Sequence, residues 1–577
     1  MEIEGLIKKY ALKNAFDFGK ANEKAVAGRV LGESAEARKD IAATMKLVAG
    51  IVKEINALGK KEIEKELKKY GIETSTPNSK PETRNHSIVL PDAKMNEVVT
   101  RFPPEPNGHL HIGHAKALFL NYEAANAYSG KLLIRFDDTN PEKESQEYVE
   151  SIAQDIKWLG IEHSAPTFTS DSIEKIYAYG EKLIRSGNAY ACTCPQEVMK
   201  ENRMKKMGCA CRERDAAGNL ALFTEMKTTL AAGKAVIRFR GDMAGENTVM
   251  RDPTLFRIID VPHYRQGRKY RAWPNYDFVA PVMDALEGVT HAMRSKEYEL
   301  RDELYACMQE ALGLRNVKIV GFSRLGIEGV PVSKREIKKL IDDKKVDGWD
   351  DPRLVTIAAL KRRGIRPEAI MEFVLSFGLS KVESTPKLEK LLALNKKIID
   401  PVARRYFFAR GKKVLKVNGA KPEAVSLKAH PSGNLGMRKL EATGEYYIDE
   451  NDFEALKIGD AARLKDFCAV RVVGKKKDIL ETEKVEEIDN ETQISKPETR
   501  IIQWVPKESA VKCEVMVASE LFDGEKFNGD SLRMDKGYCE ANCAGMEIGV
   551  PAQFERYGFV MLDKKENSRL IFIYMHK

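Results

Sequence analysis

One stretch near residue 100 constrains the fold of this chain more than any other. It runs T-R-F-P-P-E-P-N-G-H-L-H-I-G-H-A-K over residues 100–116. A β-branched run before it predicts a strand, its prolines and glycine predict a loop, and a helical pattern begins near Ile112. His111 and His114 share a face of the first helical turn, and Gly113 leaves room for a ligand. Histidines at this spacing can also be solvent-facing or satisfied in a core, but the free N–H groups of a helix start favour phosphate here.

This order of strand, loop, histidine pair and helix resembles the HIGH signature of class I aminoacyl-tRNA synthetases. The version here, R-F-P-P-E-P-N-G-H-L-H-I-G-H, is similar to that of the glutamyl and glutaminyl enzymes. The resemblance implies that His111 and His114 are catalytic residues, which contact the phosphates of ATP and stabilise the transition state of adenylate formation.

A second signature follows downstream. Val332-Ser333-Lys334-Arg335 resembles the KMSKS loop in its S-K-R form, and Ser323-Arg324-Leu325 matches as well. Alone, such a basic run is an ordinary solvated helix start. The resemblance implies that Lys334 is also catalytic and holds the β- and γ-phosphates as pyrophosphate leaves. It assigns the following residues to the ATP site: Glu105, Pro106, Asn107, His111, Gly113, His114, Arg324, Leu325, Val332, Ser333 and Lys334.

Composition narrows the class of protein. With 577 residues, 43% of them hydrophobic and 31% charged, the chain predicts several soluble globular domains. No apolar run approaches the roughly 20 residues of a membrane span. The N-terminus lacks the pattern of a signal peptide, so we expect a cytoplasmic location. A net charge of +9 permits a polyanionic partner but does not require one.

Periodicity and composition predict a multidomain α/β plus β fold. Good helix formers fill the first part, a polar aperiodic linker follows at 72–94, and short alternating strands dominate after residue 405. With the family resemblance, which points to the archaeal and eukaryotic type, six parts are expected: an N-terminal helical appendix and linker (1–95), the first half of a Rossmann-type catalytic domain (96–190), a zinc-containing acceptor-end insertion (191–265), the second catalytic half (266–345), a helical stem-contact region (346–404) and two β-barrel anticodon-binding domains (405–577).

Four cysteines predict a metal site. Cys192, Cys194, Cys209 and Cys211 form two C-x-C pairs separated by fourteen residues, and four thiolates can close a tetrahedral zinc shell. Four reduced thiols without metal are the alternative. A closed four-cysteine shell has no open position, so the zinc would be structural.

Candidate amino-acid-binding residues come from separate parts of the chain. Asp137 follows a predicted buried strand, at the ligand-facing edge of a parallel sheet; Asp138 or Thr139 could instead simply cap the next helix. The resemblance assigns Asp137 to the ammonium group of the amino acid. It also places Arg101 and Tyr276 against the amino acid.

Arg294 is the residue that the resemblance makes responsible for amino-acid choice. A planar cation suits the side-chain carboxylate of glutamate, whereas glutaminyl enzymes carry a small uncharged residue there. The alternative is an ion pair with Glu297 or Asp302 on the following helix.

Basic residues provide weaker candidates for contact with tRNA. Arg238, Arg240, Arg251 and Arg257 alternate along predicted strands, which usually means a solvated face, and Lys361-Arg362-Arg363 is a compact basic cluster. In a synthetase, the arginines of these predicted strands would steer the 3′ end of tRNA.

The expected function is ATP-dependent activation of L-glutamate and its transfer to tRNA(Glu), with tRNA(Gln) as a second candidate acceptor. Mg²⁺ would accompany ATP, and the chain is expected to act as a monomer. A glutaminyl enzyme is the nearest alternative, against which Arg294 argues. A non-catalytic tRNA-binding paralogue is the other, against which the intact histidines and Lys334 argue.

Overall fold

The computed structural model describes residues 3–18, 20–34, 36–59, 62–63, 66–67, 88–485, 500–567 and 569–577. The chain divides into two compact units, Met1–Asn85 and His86–Lys577. Most of the linker predicted at 72–94 lies outside the described residues and stays a prediction.

The first unit is helical, as predicted. It contains α1 (Ile3–Phe18), α2 (Glu23–Glu33) and α3 (Ile41–Asn56). Their apolar faces meet in a core that includes Ile7, Leu12, Val30 and Val48.

The second unit begins with the predicted strand–helix–strand. Strand β1 (Val99–Phe102) pairs in parallel with β2 (Lys131–Phe136), and α4 (Ile112–Ala127) connects them. Gly130, just after the helical pattern, predicts that a glycine ends this helix, and the structure corrects that prediction. Ser129 adopts the left-handed conformation at φ 51°, whereas a Cβ on Gly130 would lie 2.1 Å from the Val98 carbonyl oxygen. Close packing, and not helix termination, therefore requires glycine there.

The parallel sheet continues and is then interrupted. β3 (Thr167–Phe168) pairs with β2, and α5 (Gln146–Trp158) and α6 (Ile173–Arg185) flank it. Far along the chain, β8 (His291–Ser295) pairs in parallel with β9 (Lys318–Phe322). Thr290 donates its N–H to the Val99 carbonyl at 2.9 Å, so this later pair adjoins β1.

The residues between these two parts form an antiparallel sheet with its own core. Its strands, in order, are β4 (Ala189–Cys192), β5 (Val236–Phe239), β6 (Thr254–Ile258) and β7 (Ala272–Pro274). Helices α7 (Gln196–Met204) and α8 (Ala216–Thr228) lie between β4 and β5 in the chain. Phe223, Phe256 and Trp273 are buried in this core.

Helices complete the part before the C-terminal sheets. They are α9 (Tyr276–Leu286), α10 (Asp302–Ala311), α11 (Lys334–Asp342), α12 (Ile357–Arg362), α13 (Pro367–Leu375) and α14 (Glu389–Ile399). Leu360, Ile370 and Phe373 join the core that lies under α4. No described helix has the length and apolar character needed to cross a membrane.

The C-terminal part consists of short strands, as predicted, arranged in two seven-stranded barrel-like sheets. The first, in spatial order, contains β19 (Arg500–Ile502), β16 (Ala461–Leu464), β17 (Ala469–Lys475), β18 (Ile479–Val485), β12 (Lys413–Asn418), β15 (Glu445–Ile448) and β20 (Val505–Pro506). The second contains β10 (Arg404–Tyr406), β25 (Pro551–Phe554), β26 (Gly558–Glu566), β27 (Arg569–His576), β21 (Val511–Ala518), β24 (Leu532–Cys539) and β11 (Phe408–Arg410).

Two hairpins and one helix complete this part: β13 (Glu423–Lys428) with β14 (Met437–Ala442), β22 (Phe522–Asp523) with β23 (Lys526–Phe527), and α15 (Glu450–Ala455). Trp504 fills the core of the first large sheet and Phe554 that of the second. The α/β plus β fold class is therefore confirmed.

Candidate active site

The two histidines of the opening stretch are in direct contact at the start of α4. His111 is the N-cap, and its Nδ1 accepts a hydrogen bond from the Gly113 N–H at 3.1 Å. His114 Nδ1 accepts from the His111 N–H at 3.3 Å, and the ring centres stack 3.8 Å apart. Partial desolvation lowers the pKa of both rings, that of His114 to about 4, although His114 also has an exposed side. Both rings are therefore neutral near pH 7, and because each Nδ1 accepts a hydrogen bond, the ring hydrogen lies on Nε2.

Gly113 brings two chain segments together. A Cβ at this position would lie 2.9 Å from His111 Cε1 and 3.1 Å from the Leu325 carbonyl oxygen. Glycine was expected here to admit a ligand. The structure adds that it admits the backbone of the segment that precedes the second signature.

Lys334 lies against the first signature, although more than two hundred residues separate them in sequence. It is the first residue of α11, and its Cδ would be 3.0 Å from a Cβ placed on Gly108. Its ammonium nitrogen lies 4.7 Å from the centre of the Tyr148 ring. Partial burial lowers the pKa of Lys334, and neighbouring lysines lower it further. The structure therefore joins the two signatures at one wall.

The other residues assigned to ATP line this region to different degrees. Asn107 donates to Glu105 Oε2 at 2.6 Å. Arg324 is exposed and pairs with Glu297. Pro106 and Leu325 are buried, whereas Val332 is half-buried and Ser333 is exposed.

Arg101, assigned to the amino acid, belongs to a buried ion network. Its Nε donates to both oxygens of Asp284 at 3.1 Å, and Nη1 donates to the Met293 carbonyl at 2.9 Å. Asp284 also accepts from Arg135 Nη1 at 2.9 Å and from the Tyr305 hydroxyl at 2.8 Å. The two arginines hold the pKa of Asp284 below its ordinary value despite its burial. Sequence reasoning missed Arg135, Asp284 and Tyr305, and only the arginine inside an apolar strand signalled them.

Asp137 lies at the edge of the same network. It accepts from Arg135 Nε at 2.7 Å and from Thr169 Oγ1 at 2.7 Å. The alternative that Asp138 or Thr139 caps the following helix is wrong, because Ser145 caps α5. Asp138 instead accepts from Ser170 N–H and Oγ, each at 2.8 Å.

Arg294 makes the ion pair that was considered as its alternative role. Its Nη1 lies 3.1 Å from Asp302 Oδ1, while its side chain is only 3% exposed. Its guanidinium carbon lies 5.5, 5.4 and 5.1 Å from the ring centres of Tyr276, Tyr298 and Tyr305. Nε is buried and has no hydrogen-bond partner among the described residues. The structure therefore combines one carboxylate contact with an aromatic enclosure in which part of the guanidinium is still unpaired.

The four cysteines form a compact cluster between β4 and α8. Their sulfur atoms all lie within 4.8 Å of one another, with Cys192 to Cys209 and Cys194 to Cys211 each at 3.8 Å. A tetrahedral zinc with Zn–S bonds of about 2.3 Å requires sulfur–sulfur distances of about 3.8 Å. The donor set and its spacing therefore fit zinc. Arg238 Nη1 lies 3.9 Å from Cys192 Sγ and can offset the charge of the thiolates.

The two predictions of solvated basic faces were wrong. Arg238 and Arg251 are buried and donate to backbone carbonyls, so they do not form a solvated face. Arg362 forms a two-point ion pair with Asp563, at 2.9 and 2.8 Å. Arg363 is buried and donates to the Met575 carbonyl, so the basic cluster mainly attaches α12 to the C-terminal sheet.

A cavity of about 450 Å³ is lined by Arg238, the residue that contacts Cys192 of the cysteine cluster. Arg203, Arg238 and Arg251 line it, and Nη2 of Arg238 is buried without a described hydrogen-bond partner.

The comparisons with known proteins agree with this architecture. Residues 97–401 match the family of class I tRNA synthetases (E and Q), catalytic domain. Residues 403–517 and 501–563 match two anti-codon binding domain families of the same class. Fold, signatures and matches together define a class I aminoacyl-tRNA synthetase, an ATP- and Mg²⁺-using ligase, as the sequence predicted.

Curated relatives narrow the class. The chain is 41% identical to the glutamate–tRNA ligase of Nitrosopumilus maritimus and 38% identical to that of Pyrococcus furiosus, in each case over 100% of both chains. It is also 38% identical to the glutamate–tRNA ligase of Cenarchaeum symbiosum, over 99% of both chains. The chain therefore belongs to the glutamate–tRNA ligases, which confirms the predicted family and enzyme class.

Proposed function

We propose that this protein activates L-glutamate with ATP and transfers it to the 3′ end of tRNA(Glu). The observation that carries the proposal is the contact of Lys334 with Gly108, in the loop that leads into His111 and His114. In a glutamate–tRNA ligase, this contact brings the neutral histidines and a lysine to one phosphate-binding wall.

The first step needs no protein nucleophile. An oxygen of the glutamate α-carboxylate attacks the α-phosphorus of ATP, and pyrophosphate leaves. His111 and His114 donate from Nε2–H to phosphate oxygens, and the Lys334 ammonium offsets the charge that moves onto pyrophosphate. Mg²⁺, when bound with ATP, offsets further phosphate charge. A 3′-terminal ribose hydroxyl of tRNA then attacks the activated carbonyl, and AMP leaves.

The amino-acid pocket selects glutamate by charge. Asp137, held by Arg135 and Thr169, is the proposed partner of the ammonium group. Arg294 is the proposed partner of the side-chain carboxylate, with Tyr276 beside it. Nε and Nη1 of Arg101 are already engaged, so Nη2 is the part of that side chain that can reach a substrate carboxylate.

We propose structural zinc in the insertion at 191–265, held by Cys192, Cys194, Cys209 and Cys211. When bound, the metal fixes the loop that precedes α8 to β4 and stabilises the fold there. The neighbouring cavity supports contact with the 3′ end of tRNA, because it is lined by the half-buried Arg203 and by Nη2 of Arg238, which has no described hydrogen-bond partner. The helices at 346–404 are the proposed stem-contact region, and 405–577 the anticodon-binding part.

One aminoacylation experiment tests the function. Purified protein is assayed with ATP, glutamate or glutamine, and tRNA(Glu) or tRNA(Gln). We expect glutamate charging of tRNA(Glu), with glutamine as a poor substrate, and we include tRNA(Gln) as the second proposed acceptor. Charging with glutamine alone, or no pyrophosphate exchange with glutamate and tRNA present, would contradict the proposal. Light scattering of the same sample tests the proposed monomer, and cell fractionation the cytoplasmic location.

Zinc is tested separately by metal analysis of the purified protein and of Cys209→Ser. We expect one zinc per chain and its loss in the variant, together with a raised KM for tRNA. A metal-free wild-type protein with full activity would contradict a structural zinc.

A further inference from the structure

A buried lysine joins the two halves of the proposed ATP site. Lys116 lies on α4, one turn after Gly113, and its side chain is fully buried. Its ammonium group donates to the Ser323 carbonyl at 2.8 Å and to Ser323 Oγ at 2.9 Å. The rings of Phe322 and Phe377 lie 5.8 and 5.9 Å from the same nitrogen.

An apolar side chain at this position would avoid the cost of burying a charge. Burying an ammonium group is costly unless it is paired, and no carboxylate of the described residues forms an ion pair with Lys116. Burial correspondingly lowers the pKa of Lys116, to about 8. Among the described residues, the compensation for burying this lysine is the contact with Ser323 and with the faces of two aromatic rings.

That contact fixes a segment which has functional neighbours on both sides. Gly113 of α4 packs against the Leu325 carbonyl, so Lys116 and Gly113 hold residues 323–325 at two points along one helix face. On the opposite side, Ser323 N–H donates to the Ser380 carbonyl at 2.9 Å. The segment is therefore held between α4 and the chain that precedes α14.

We propose that Lys116 is a positioning residue for ATP. It holds Ser323–Leu325 in register with the helix that carries His111 and His114, and it does not itself contact a substrate. The inference rests on the proposed function, in which Arg324 and Leu325 line the ATP site. Without the ammonium group, the two parts of that site can shift relative to each other while the amino-acid pocket keeps its own buried network.

The test is Lys116→Met, which keeps the length of the side chain and removes its donors. In pyrophosphate exchange we expect the KM for ATP to rise about tenfold, because the variant loses one to two charged hydrogen bonds. The KM for glutamate should change less than twofold. Lys157→Met removes an exposed lysine at the end of α5 and serves as the matched control, with both constants unchanged.

A second variant keeps the test decisive if Lys116→Met folds poorly. Ser323→Ala removes one of the two acceptors and should raise the KM for ATP about threefold, again without a matching change for glutamate. Where both variants fold, the double variant should be less impaired than the product of the two single effects, because both remove the same contact. Equal changes in both KM values, or unchanged KM for ATP in the folded variants, would overturn the positioning role.

Arg324→Ala separates this inference from the proposed function. A raised KM for ATP in Arg324→Ala with none in Lys116→Met or Ser323→Ala would overturn the positioning role alone. An unchanged KM for ATP in Arg324→Ala would instead contradict the proposed ATP site.

Discussion

The two sides of the proposed pocket carry their charge in opposite ways. On the phosphate side, His111 and His114 are neutral and Lys334 has an aromatic ring beside it, with no ion pair to a described carboxylate. On the amino-acid side, Arg101 and Arg135 are buried and share the carboxylate of Asp284. In the proposed mechanism the phosphate side offers these donors to ATP, whereas the amino-acid side holds its charges in a buried network of its own residues.

The largest expected effect is on stability, and it lies on the amino-acid side. Asp284→Ala leaves two buried guanidinium groups without their shared partner, so we expect a loss of about 3–5 kcal/mol in the free energy of unfolding. Urea unfolding of the pure protein measures it. Asp342→Ala, which breaks an exposed pair with Lys338, should cost less than about 1 kcal/mol. Similar losses of unfolding free energy in the two variants would show that the buried network stabilises the fold no more than an exposed ion pair does.

The opposite pattern is expected on the phosphate side. Lys334→Ala should lower kcat for pyrophosphate exchange by about 10²–10³-fold, because it removes a charge aimed at the leaving group. Its unfolding curve should match that of the wild type, since the lysine is partly exposed. Lys338→Ala, one turn further along α11, controls for the loss of a lysine from this helix. A change in kcat of less than threefold would remove Lys334 from the catalytic residues.

The residues that could be predicted from the sequence differ between the phosphate side and the amino-acid side. His111, His114, Lys334 and the four cysteines belong to short sequence motifs, so the sequence alone makes them candidates. Arg135 meets Asp284, and Lys116 meets Ser323, across more than a hundred residues, and the only local signal was an arginine inside an apolar strand. Charge alone also misled, because Arg238, Arg251 and Arg363 satisfy backbone carbonyls in the interior, which a run of basic letters cannot show.

Arg294, on the amino-acid side, was predicted from the sequence to bind substrate, but it also pairs with Asp302. Arg294→Cys should raise the KM for glutamate about thirtyfold, through the loss of a charged hydrogen bond to the substrate, and should relax discrimination against glutamine.

Asp302→Asn is the matched variant, because it removes the ion pair and keeps the guanidinium group. We expect it to change the KM for glutamate less than threefold in pyrophosphate exchange. Equal effects of the two substitutions would place the role of Arg294 in the ion pair, and unchanged kinetics in Arg294→Cys would remove it as the specificity residue.

The smallest expected effect is a pH dependence that arises from the phosphate side. The pKa of His114 is lowered to about 4 in the folded protein, below the ordinary value of 6.5 that applies to the unfolded chain. Between these values the unfolded chain binds more protons than the folded one, so the contribution of His114 is fully present above about pH 6.5 and is lost as the pH falls towards 4.

His114→Asn removes this titration. Between pH 7 and pH 5, the wild type should therefore lose more unfolding free energy than the variant does. The difference should be small, because part of the ring is exposed to solvent. Identical pH slopes in urea unfolding would mean that the fold does not hold His114 neutral. They would contradict the proposal that the histidines of the phosphate side are uncharged. By contrast, the amino-acid side should keep its buried network across this range, since the arginines hold the pKa of Asp284 below its ordinary value.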